Sequence, residues 1–559
     1  MHVCIQCREV FETTDADRAL LIRLDAPEPV VCPTCSMKRK FAFRNERTLY
    51  TGACALCTKN TLSMFYPDSK YTVYCVECIN SDRWDPLFFG QDIDFSRPFF
   101  EQFGELLKRV PRAALLTAQC ENSDYVNYTY YTKNSYLSFG GNFMEDCLYC
   151  NLAQKCKQCT DTDFALDSEL CYECVGIQNC YSCRYVYDSQ SCHTSEFLKD
   201  CADCSDCFLC CNAKHKSYCF MNKQYAKEEY EKKVGEFKQK SLTEQIELFE
   251  KFILNFPRRC HYNYNSEGCT GEYIAKSKDC TDCYGMIEGE NCRHVHTGFP
   301  KLRDSMRCCY AGENAELIYE CLGTGADSQN IKWCIVAVEK CFNIEYSEFC
   351  STSSSNLFGC SGLKQKEYCI LNKQYSKDDF FSLREKLVEH MKKTGEWGET
   401  FDPSISPFGY NETVAMDCYP MTKAEARAQG YNWRDDMPVN SGKETVVQGR
   451  IPEDIHAIDE SICKEILACE KTGKNYRITK QELAFYKRFN IPLPRLHPEE
   501  RHKERMKRRN PFILHHRQCM CDQSGHDHAN RCPVEFETAY TLDRQETVFC
   551  WACYQKEIA

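Results

Sequence analysis

Familiar signatures of catalysis are absent from this 559-residue sequence. It contains no P-loop, no dinucleotide-binding glycine pattern, no nucleophile elbow and no His-Glu-x-x-His motif. A deaminase-type combination of His-x-Glu with Pro-Cys-x-x-Cys is missing as well. These absences make a non-enzymatic role the favoured interpretation.

Long apolar runs are absent too. No stretch of about 18 apolar residues occurs, and the opening Met-His-Val-Cys-Ile-Gln-Cys-Arg-Glu contains no apolar signal region. With 81 acidic and 70 basic residues the net charge is -11, which excludes a globally basic nucleic-acid binder but not a local basic patch. We therefore expect a cytoplasmic protein without membrane contact, long enough for several domains.

Cysteine, in contrast, is abundant, with 45 copies. The first 83 residues hold four Cys-x-x-Cys pairs: Cys4/Cys7, Cys32/Cys35, Cys54/Cys57 and Cys75/Cys78. Each pair can supply two thiolates to a tetrahedral ion, so four pairs predict two Cys4 zinc ribbons with bound Zn²⁺. Disulfides or an iron centre are the alternatives, because four sulfur ligands do not by themselves select the metal.

The same stretch recurs in degenerate form at the end of the chain. Matching positions differ by 465 before a ten-residue insertion and by 475 after it. Thr472 stands in place of Cys7, and Glu500 in place of Cys35. The second ribbon keeps its four ligand positions, which predicts a zinc site on Cys519, Cys532, Cys550 and Cys553.

This pattern of loss predicts how the pairs combine. If consecutive pairs share an ion, one site has lost Cys7 and Cys35 together and the other is intact, whereas a cross-braced arrangement would leave two damaged sites. Sequential pairing is therefore favoured. The insertion adds Cys521, His526 and His528, which are either extra metal ligands or part of a solvated histidine-rich loop.

Between positions 115 and 225 the cysteines recur with a period of 21, as in Cys150, Cys171 and Cys192. A fixed period with short apolar segments, frequent Asn, Asp and Ser and very little Pro predicts a β-solenoid in which each rung spans one such period. Its cysteines are either reduced apolar side chains that fill a narrow core or zinc ligands shared between adjacent rungs.

The solenoid is predicted twice, because Asn-Lys-Gln-Tyr occurs at 222–225 and again at 372–375. A charged helix follows each copy, from Lys227 to about Ile253 and from Lys377 to about Lys393. Such helices are suited to covering the exposed end of a solenoid.

Two basic segments occupy matching positions in the duplicated regions. Interleaved cations and aromatic rings can hold phosphates and stack bases, although solvated charges around a packed core are the alternative. The candidate nucleic-acid contacts are Lys38, Arg39, Lys40, Arg44, Arg47, Arg501, Lys503, Arg505, Lys507, Arg508 and Arg509.

The predicted fold class is mixed and mainly β, with zinc ribbons at both ends flanking two cysteine-rich β-solenoid modules that are each followed by a long helix. The predicted segments are 1–83 double ribbon, 84–118 helical linker, 119–255 and 256–395 solenoid modules with helices, 396–455 linker, and 456–559 degenerate double ribbon.

Several motifs of the chain resemble those of the large, uncharacterised cysteine-rich zinc-ribbon proteins of candidate-phyla bacteria. They are the double ribbon, Phe-Arg-Asn-Glu-Arg at 43–47, Asn-Lys-Gln-Tyr, Ser-Pro-Phe-Gly-Tyr-Asn-Glu-Thr at 406–413 and Arg-Arg-Asn-Pro at 508–511. The resemblance implies bound zinc and no established activity. Three functions remain: an RNA-associated scaffold, a protein-interaction scaffold, and a thiol-redox or metal-storage protein.

Overall fold

The computed structural model describes residues 1–437, 440–446 and 451–558. These residues form two compact units that are each discontinuous in sequence. Unit 1 contains Met1–Leu115, Arg259–Arg434 and Pro511–Arg544; unit 2 contains Leu116–Arg258, Asp435–Asn510 and Gln545–Ala559. Residues 438–439 and 447–450 of the predicted linker, and residue 559, lie outside the described part of the chain.

Unit 2 is built around a parallel β-solenoid, named solenoid 1 (residues 117–224). One seven-stranded sheet runs along it, in the order of the chain. Its strands are Thr160–Leu166, Tyr172–Gln178, Arg184–Tyr187, Glu196–Lys199, Ser205–Cys211, Ser217–Phe220 and Lys223–Gln224. Two short parallel strands, Thr117–Ala118 and Thr129–Tyr130, precede this sheet. The predicted β-solenoid is thereby confirmed.

Each rung of solenoid 1 is four triplets long. Tyr172 pairs with Arg184, and isolated bridges such as Glu121 to Lys133 keep the same offset. Every third residue from Gln119 to Met221 has a left-handed backbone, with φ between 46° and 70°. Asn, Asp and Gly recur at these corners because they enter that conformation at low cost. A rung is therefore a closed turn with a corner in each triplet.

The predicted rung with a period of 21 is wrong. That period is seven triplets, so Cys150, Cys171 and Cys192 share a position within the triplet but lie on different sides of the solenoid. The residue after each left-handed corner faces the interior, and these three cysteines follow Tyr149, Leu170 and Ser191. The period of 21 in the sequence reflects the three-residue repeat, whereas the length of a rung is given by the register of the paired strands.

The interior of solenoid 1 is a column of small side chains. Its buried cluster contains Met144, Ala153, Ala165, Ile177, Val186 and Leu198 together with cysteines at 147, 150, 156, 159, 171, 174, 180, 183, 192, 201, 204, 207, 210 and 219. Thiols such as that of Cys174 lie near backbone carbonyl oxygens of their own rung and the next one, at 3.3 and 3.5 Å. These cysteines lie in the core as small side chains, which is what the core-filling interpretation expects of them.

Unit 1 contains the second solenoid, named solenoid 2 (residues 263–374), with a parallel sheet on each of two sides. One sheet contains Gly271–Ala275, Cys283–Ile287, His296–Gly298, Cys309–Ala311, Leu322–Thr324, Ile335–Val338 and Glu348–Ser351. The other contains Glu316–Tyr319, Gln329–Lys332, Phe342–Glu345, Ser355–Phe358, Glu367–Ile370 and Lys373–Gln374. Gly271 pairs with Cys283, whereas Ile335 pairs with Glu348, so the second rung is one residue longer than the first. The rungs are therefore less uniform in length than those of solenoid 1.

The repeated Asn-Lys-Gln-Tyr motif ends each solenoid. Lys223–Gln224 and Lys373–Gln374 pair antiparallel with the last parallel strand of their own solenoid. The Asn222 side chain accepts a hydrogen bond from the backbone N–H of Cys211 and donates to its carbonyl oxygen. Asn372 makes the same two bonds to Ser361. An antiparallel turn cannot continue the parallel stack, so the motif closes the final rung.

Helices follow both solenoids. After solenoid 1, the expected single helix is two, Lys227–Phe237 and Leu242–Ile253, because Ser241 forms a capping box with Glu244 and starts the second one. After solenoid 2 there is one helix, Lys377–Thr394. The first two pack beside the last rungs rather than across the open end, with rings such as Phe237 against Phe208 at 5.4 Å.

The sequence duplication is reproduced element by element. At the N-terminus the elements are His2–Val3, Val10–Phe11, Asp15–Arg23, Pro33–Phe41, Tyr50–Ala53, Asn60–Ser63, Val73–Tyr74 and Val76–Ile79. At the C-terminus they are Leu467–Ala468, Asn475–Tyr476, Lys480–Phe489, Pro498–Met506, His515–Gln518, Glu535–Thr538, Val548–Phe549 and Trp551–Glu557. The internal duplication is confirmed.

The remaining elements of unit 1 include the helix Phe99–Arg109, which lies within the predicted helical linker and has Phe103 and Leu106 fully buried. Further helices in this unit are Val414–Cys418 and Lys423–Ala428, and Arg112–Ala113 pairs with Val73–Tyr74. Short 3-10 turns occur at Pro86–Phe89, Pro403–Ile405 and Tyr410–Glu412 in unit 1, and at Ile455–Ala457 and Glu460–Lys464 in unit 2. No helix among the described residues is long and apolar enough to cross a membrane.

Candidate metal centres

The first cysteine cluster, site I, contains Cys4, Cys7, Cys32 and Cys35. Cys4 and Cys7 lie in the turn of the hairpin His2–Val3/Val10–Phe11, where Arg8 is left-handed with φ 69°. Cys32 caps the helix Pro33–Phe41, which also carries Cys35 in its first turn. Their four Sγ atoms lie within 4.8 Å of one another. This is the disposition that one tetrahedral ion requires.

Backbone amides surround the sulfurs of site I. The N–H of Cys32 donates to Cys4 Sγ at 3.3 Å, and the N–H of Cys35 donates to Cys32 Sγ at 3.4 Å. Hydrogen bonding to the Cys35 thiol lowers the pKa of Cys32 to about 5 against the opposing effect of burial, and the backbone N–H of Cys35 adds to this lowering. A thiol held as thiolate near neutral pH is ready to ligate a metal ion.

Site II repeats this arrangement with Cys54, Cys57, Cys75 and Cys78, whose Sγ atoms also lie within 4.8 Å of one another. The N–H of Cys75 donates to Cys54 Sγ at 3.2 Å. Burial raises the pKa of Cys54, but the amides of Cys75, Cys57 and Leu56 outweigh it and bring the pKa to about 6. Arg83 Nη2 lies 2.7 Å from Cys78 Sγ and places a positive charge beside the cluster.

Both clusters combine consecutive Cys-x-x-Cys pairs, so the predicted sequential pairing is confirmed. No disulfide joins any cysteine among the described residues. Each cluster offers four sulfur ligands, a donor set that suits a structural tetrahedral ion. The structure therefore contains several Cys4 clusters able to hold a metal ion.

The predicted C-terminal site is divided between the two units. Cys519 and Cys532 belong to unit 1, where their Sγ atoms lie within 4.8 Å of each other. Cys550 and Cys553 belong to unit 2, with Cys550 at the start of the helix Trp551–Glu557. All four are buried. A zinc ion on these four cysteines stays a prediction of the sequence.

The C-terminal copy of site I has no comparable cluster among its described residues. Burial raises the pKa of Cys469, but the N–H of His497 and the hydroxyl of Thr472 bind its sulfur and hold the pKa below its ordinary value. Burial lowers the pKa of His497 to about 4, and its Nδ1 accepts the N–H of Glu499 at 3.2 Å. Glu500 pairs with Lys503 at 2.8 Å. Polar contacts of backbone and side chains lie where site I has its four thiols.

The N-terminal basic segment is largely engaged within unit 1. Lys40 is 4% exposed and donates to Ser36 and to Glu320 of solenoid 2. Arg44 is 5% exposed, and its guanidinium lies 3.8 Å from the centre of the Tyr310 ring. Three further cations have partners: Lys38 lies over Tyr419, Arg39 pairs with Gln6 and Glu399, and Arg47 with Asp417.

The C-terminal basic segment lies against solenoid 1 in unit 2. Arg505 is 1% exposed; its Nε donates to Asp163 and its Nη1 to Asp161, both at 2.7 Å. Arg501 is 4% exposed and also pairs with Asp161. The helix Pro498–Met506 therefore docks on the solenoid through buried charges.

The other cations of this segment are also paired. Arg508 pairs with Glu250, Arg509 lies over the Phe164 ring, and Lys503 and Lys507 pair with glutamates of their own helix. The side chain of Lys503 is 45% exposed and that of Lys507 is 64% exposed. The expectation of an exposed phosphate-binding patch is corrected for Lys40, Arg44, Arg501, Arg505 and Arg509, because buried guanidinium and ammonium groups cannot reach a phosphate.

The sequence did not reveal the acidic partners of these cations. Asp161 and Asp163 are 0% exposed, and Glu320 is 5% exposed. Burial raises the pKa of Asp163, but Arg505 and His502 outweigh it and hold the pKa below its ordinary range. The available signal for these partners was the presence of two aspartates within a strand-like run, Thr160–Leu166.

The motif at 406–413 has a structural role in unit 1. Ser406 Oγ donates to the carbonyl of Ala42 at 2.6 Å, and Phe408 stacks on Phe65 with ring centres 5.2 Å apart. Glu412 accepts the Tyr50 hydroxyl at 2.6 Å. The motif thus fastens the segments that carry sites I and II to each other.

No protein family model, no curated protein and no solved structure matches this chain. The likeness to cysteine-rich zinc-ribbon proteins of candidate-phyla bacteria stays a prediction from motifs.

Proposed function

We propose that the protein is a zinc-stabilised cytoplasmic scaffold whose zinc-ribbon sites I and II maintain its fold and whose solenoids present surfaces to protein partners. The closed four-thiolate donor set carries the proposal, because a catalytic zinc site keeps a position for water or substrate whereas a structural site fills all four with protein ligands. The metal serves the fold in this account.

A protein partner is favoured over RNA because the basic residues make ion pairs within the protein. Arg501 and Arg505 neutralise Asp161 and Asp163, and Lys40 neutralises Glu320. The exposed surface of solenoid 1 offers aromatic rings instead, with Tyr131 and Phe143 46% and 50% exposed and stacked at 4.9 Å. Exposed aromatic side chains are enriched in protein interfaces.

A pull-down from the native cell with and without nuclease tests this proposal. We expect the same protein partners in both samples, and we expect the double variant Tyr131→Ser/Phe143→Ser to lose them. Glu121→Gln, at an exposed site of the same solenoid, is the matched control. Partners that disappear after nuclease treatment would support the RNA-associated scaffold and contradict this one.

RNA binding has its own measurement. Phosphate contacts make affinity fall with salt, by a slope near 0.7 per contact on single strands. The exposed Lys503 and Lys507 can be changed to Gln without removing a buried charge. We expect no salt-dependent binding and no effect of this double variant; a slope that falls by about 1.4 would restore the basic segment to an RNA-binding role.

A further inference from the structure

The insertion that separates Cys519 from Cys532 is the part of the duplicated region with no counterpart at the N-terminus. In the N-terminal copy, Cys54 and Cys57 are separated by Ala-Leu alone. The inserted residues carry one cysteine and two histidines, Cys521, His526 and His528. Their ligand atoms lie within 4.8 Å of one another, all within unit 1.

We propose that Cys521, His526 and His528 supply ligands to a metal ion additional to those of sites I and II. Cys521 is 0% exposed, and its Sγ lies 3.0 Å from His526 Nδ1. The two imidazole rings are nearly perpendicular, at 86°, with centres 5.9 Å apart. One thiolate and two imidazoles form a mixed donor set that suits Zn²⁺.

The loop holds these ligands with its own backbone. The N–H of Cys532 donates to the carbonyl of Cys521 at 2.8 Å, and Arg531 Nε donates to the carbonyl of Cys519 at 3.1 Å. The strands His515–Gln518 and Glu535–Thr538 pair on either side of the insertion. The insertion therefore closes on itself rather than extending from the hairpin.

One histidine also has the support typical of a metal ligand. His528 Nδ1 contacts the carbonyl oxygen of Asn530, so this nitrogen carries the proton and leaves Nε2 to ligate. Metal-binding histidines regularly donate their second N–H to a carbonyl or carboxylate, which fixes the tautomer and the ring orientation. A histidine that is merely solvated has no need of this contact.

Metal content of the full-length protein tests the proposal. The protein is saturated with Zn²⁺, freed of loosely bound ions by gel filtration and analysed for zinc per chain by mass spectrometry. We expect the double variant His526→Ala/His528→Ala to lose one zinc equivalent. His516→Ala, on the strand before the insertion and 62% exposed in its side chain, is the matched control and should lose none.

A second variant keeps the test valid if the histidine changes disturb the loop. Replacing residues 520–531 by Ala-Leu gives Cys519 and Cys532 the spacing of Cys54 and Cys57. We expect this protein to fold and to bind one zinc fewer than the wild type. Unchanged zinc content in either variant would overturn the proposal, and the equivalents at sites I and II are counted separately in Cys32→Ser and Cys54→Ser proteins.

Discussion

The N-terminal copy (residues 1–45) and the C-terminal copy (residues 466–510) have the same order of hairpin and two helices but are stabilised differently. Around site I the buried cluster is small, formed by Cys4, Phe11, Val31, Cys32 and Cys35. The C-terminal copy belongs to a much larger buried cluster of unit 2, which includes Leu467, Tyr476, Ile478, Leu483, Tyr486 and Leu493. Leu20, Leu21 and Phe41 are also buried in the N-terminal copy. The difference is that this copy has four clustered thiols, whereas the C-terminal copy has Cys469 alone and a large apolar cluster.

This difference indicates what a metal ion held at site I would contribute. A segment of about 45 residues buries too little apolar surface to be stable alone, so small domains depend on metals, disulfides or packing against a larger body. Binding of structural zinc supplies about 10 kcal/mol to such folds. The C-terminal copy lacks the equivalents of Cys7 and Cys35. In this account its large apolar cluster supplies the stabilising free energy instead.

Both copies nevertheless dock on a solenoid through the same helix positions. Ser36 and Lys40 meet Glu320 in unit 1, while Arg501 and Arg505 meet Asp161 and Asp163 in unit 2. The duplication offset of 465 relates Ser36 to Arg501 and Lys40 to Arg505. The docking geometry was therefore retained while the metal ligands were lost.

The largest expected effect is the difference in stability between a cysteine substitution in the N-terminal copy and one in the C-terminal copy. Cys32→Ser should unfold the N-terminal copy, because a three-thiolate site loses most of the binding free energy of about 10 kcal/mol. Cys469→Ser should cost about 1 kcal/mol, since this sulfur only accepts hydrogen bonds. Zinc content and circular dichroism of the two proteins measure the difference; equal losses would show that Cys469 also ligates.

A smaller effect is expected where the copies resemble each other. Asp161→Asn leaves Arg501 and Arg505 with one carboxylate fewer in a buried place, which should destabilise unit 2 by about 3 to 5 kcal/mol. Glu504→Gln, whose partner Lys507 is 64% exposed, should change stability by less than about 1 kcal/mol. Urea unfolding measures both, and similar midpoints would contradict the docking role.

The smallest effect is expected in the solenoid, where cysteine fills space. Cys174→Ala should destabilise unit 2 by about 1 kcal/mol, because it removes one buried atom from the core. Cys174→Leu should cost about 1 to 3 kcal/mol more through overpacking. Thermal unfolding of both variants is the measurement. A loss as large as that of Cys32→Ser, accompanied by loss of zinc, would show that solenoid cysteines ligate metal.

Sequence reasoning succeeded where the chemistry of single residues decides the structure. Cys-x-x-Cys spacing predicted sites I and II, and the replacement of Cys7 and Cys35 equivalents predicted their pairing. It failed on the length of a rung. Left-handed corners occur at every third position, so cysteines separated by any multiple of three residues occupy the same position within a triplet. Only the backbone register, in which Tyr172 pairs with Arg184, distinguishes these multiples.

The basic segments illustrate the same limit. Their charge was evident, but their partners lie far away in sequence: Arg505 meets Asp163, and Lys40 meets Glu320. A run of cations predicts a phosphate-binding surface only if the cations remain exposed. Long-range burial in the solenoid interface decided the outcome, and nothing within the segment itself signals it.

Hydrogen exchange of the intact protein, measured by mass spectrometry before and after a strong zinc chelator, tests the central claim most directly. Removal of metal should abolish protection of amides in residues 1–45 and leave protection in residues 466–510 within about twofold of its initial value, because only the N-terminal copy depends on thiolate ligands. Equal loss of protection in both copies, or protection that persists in both, would contradict the account.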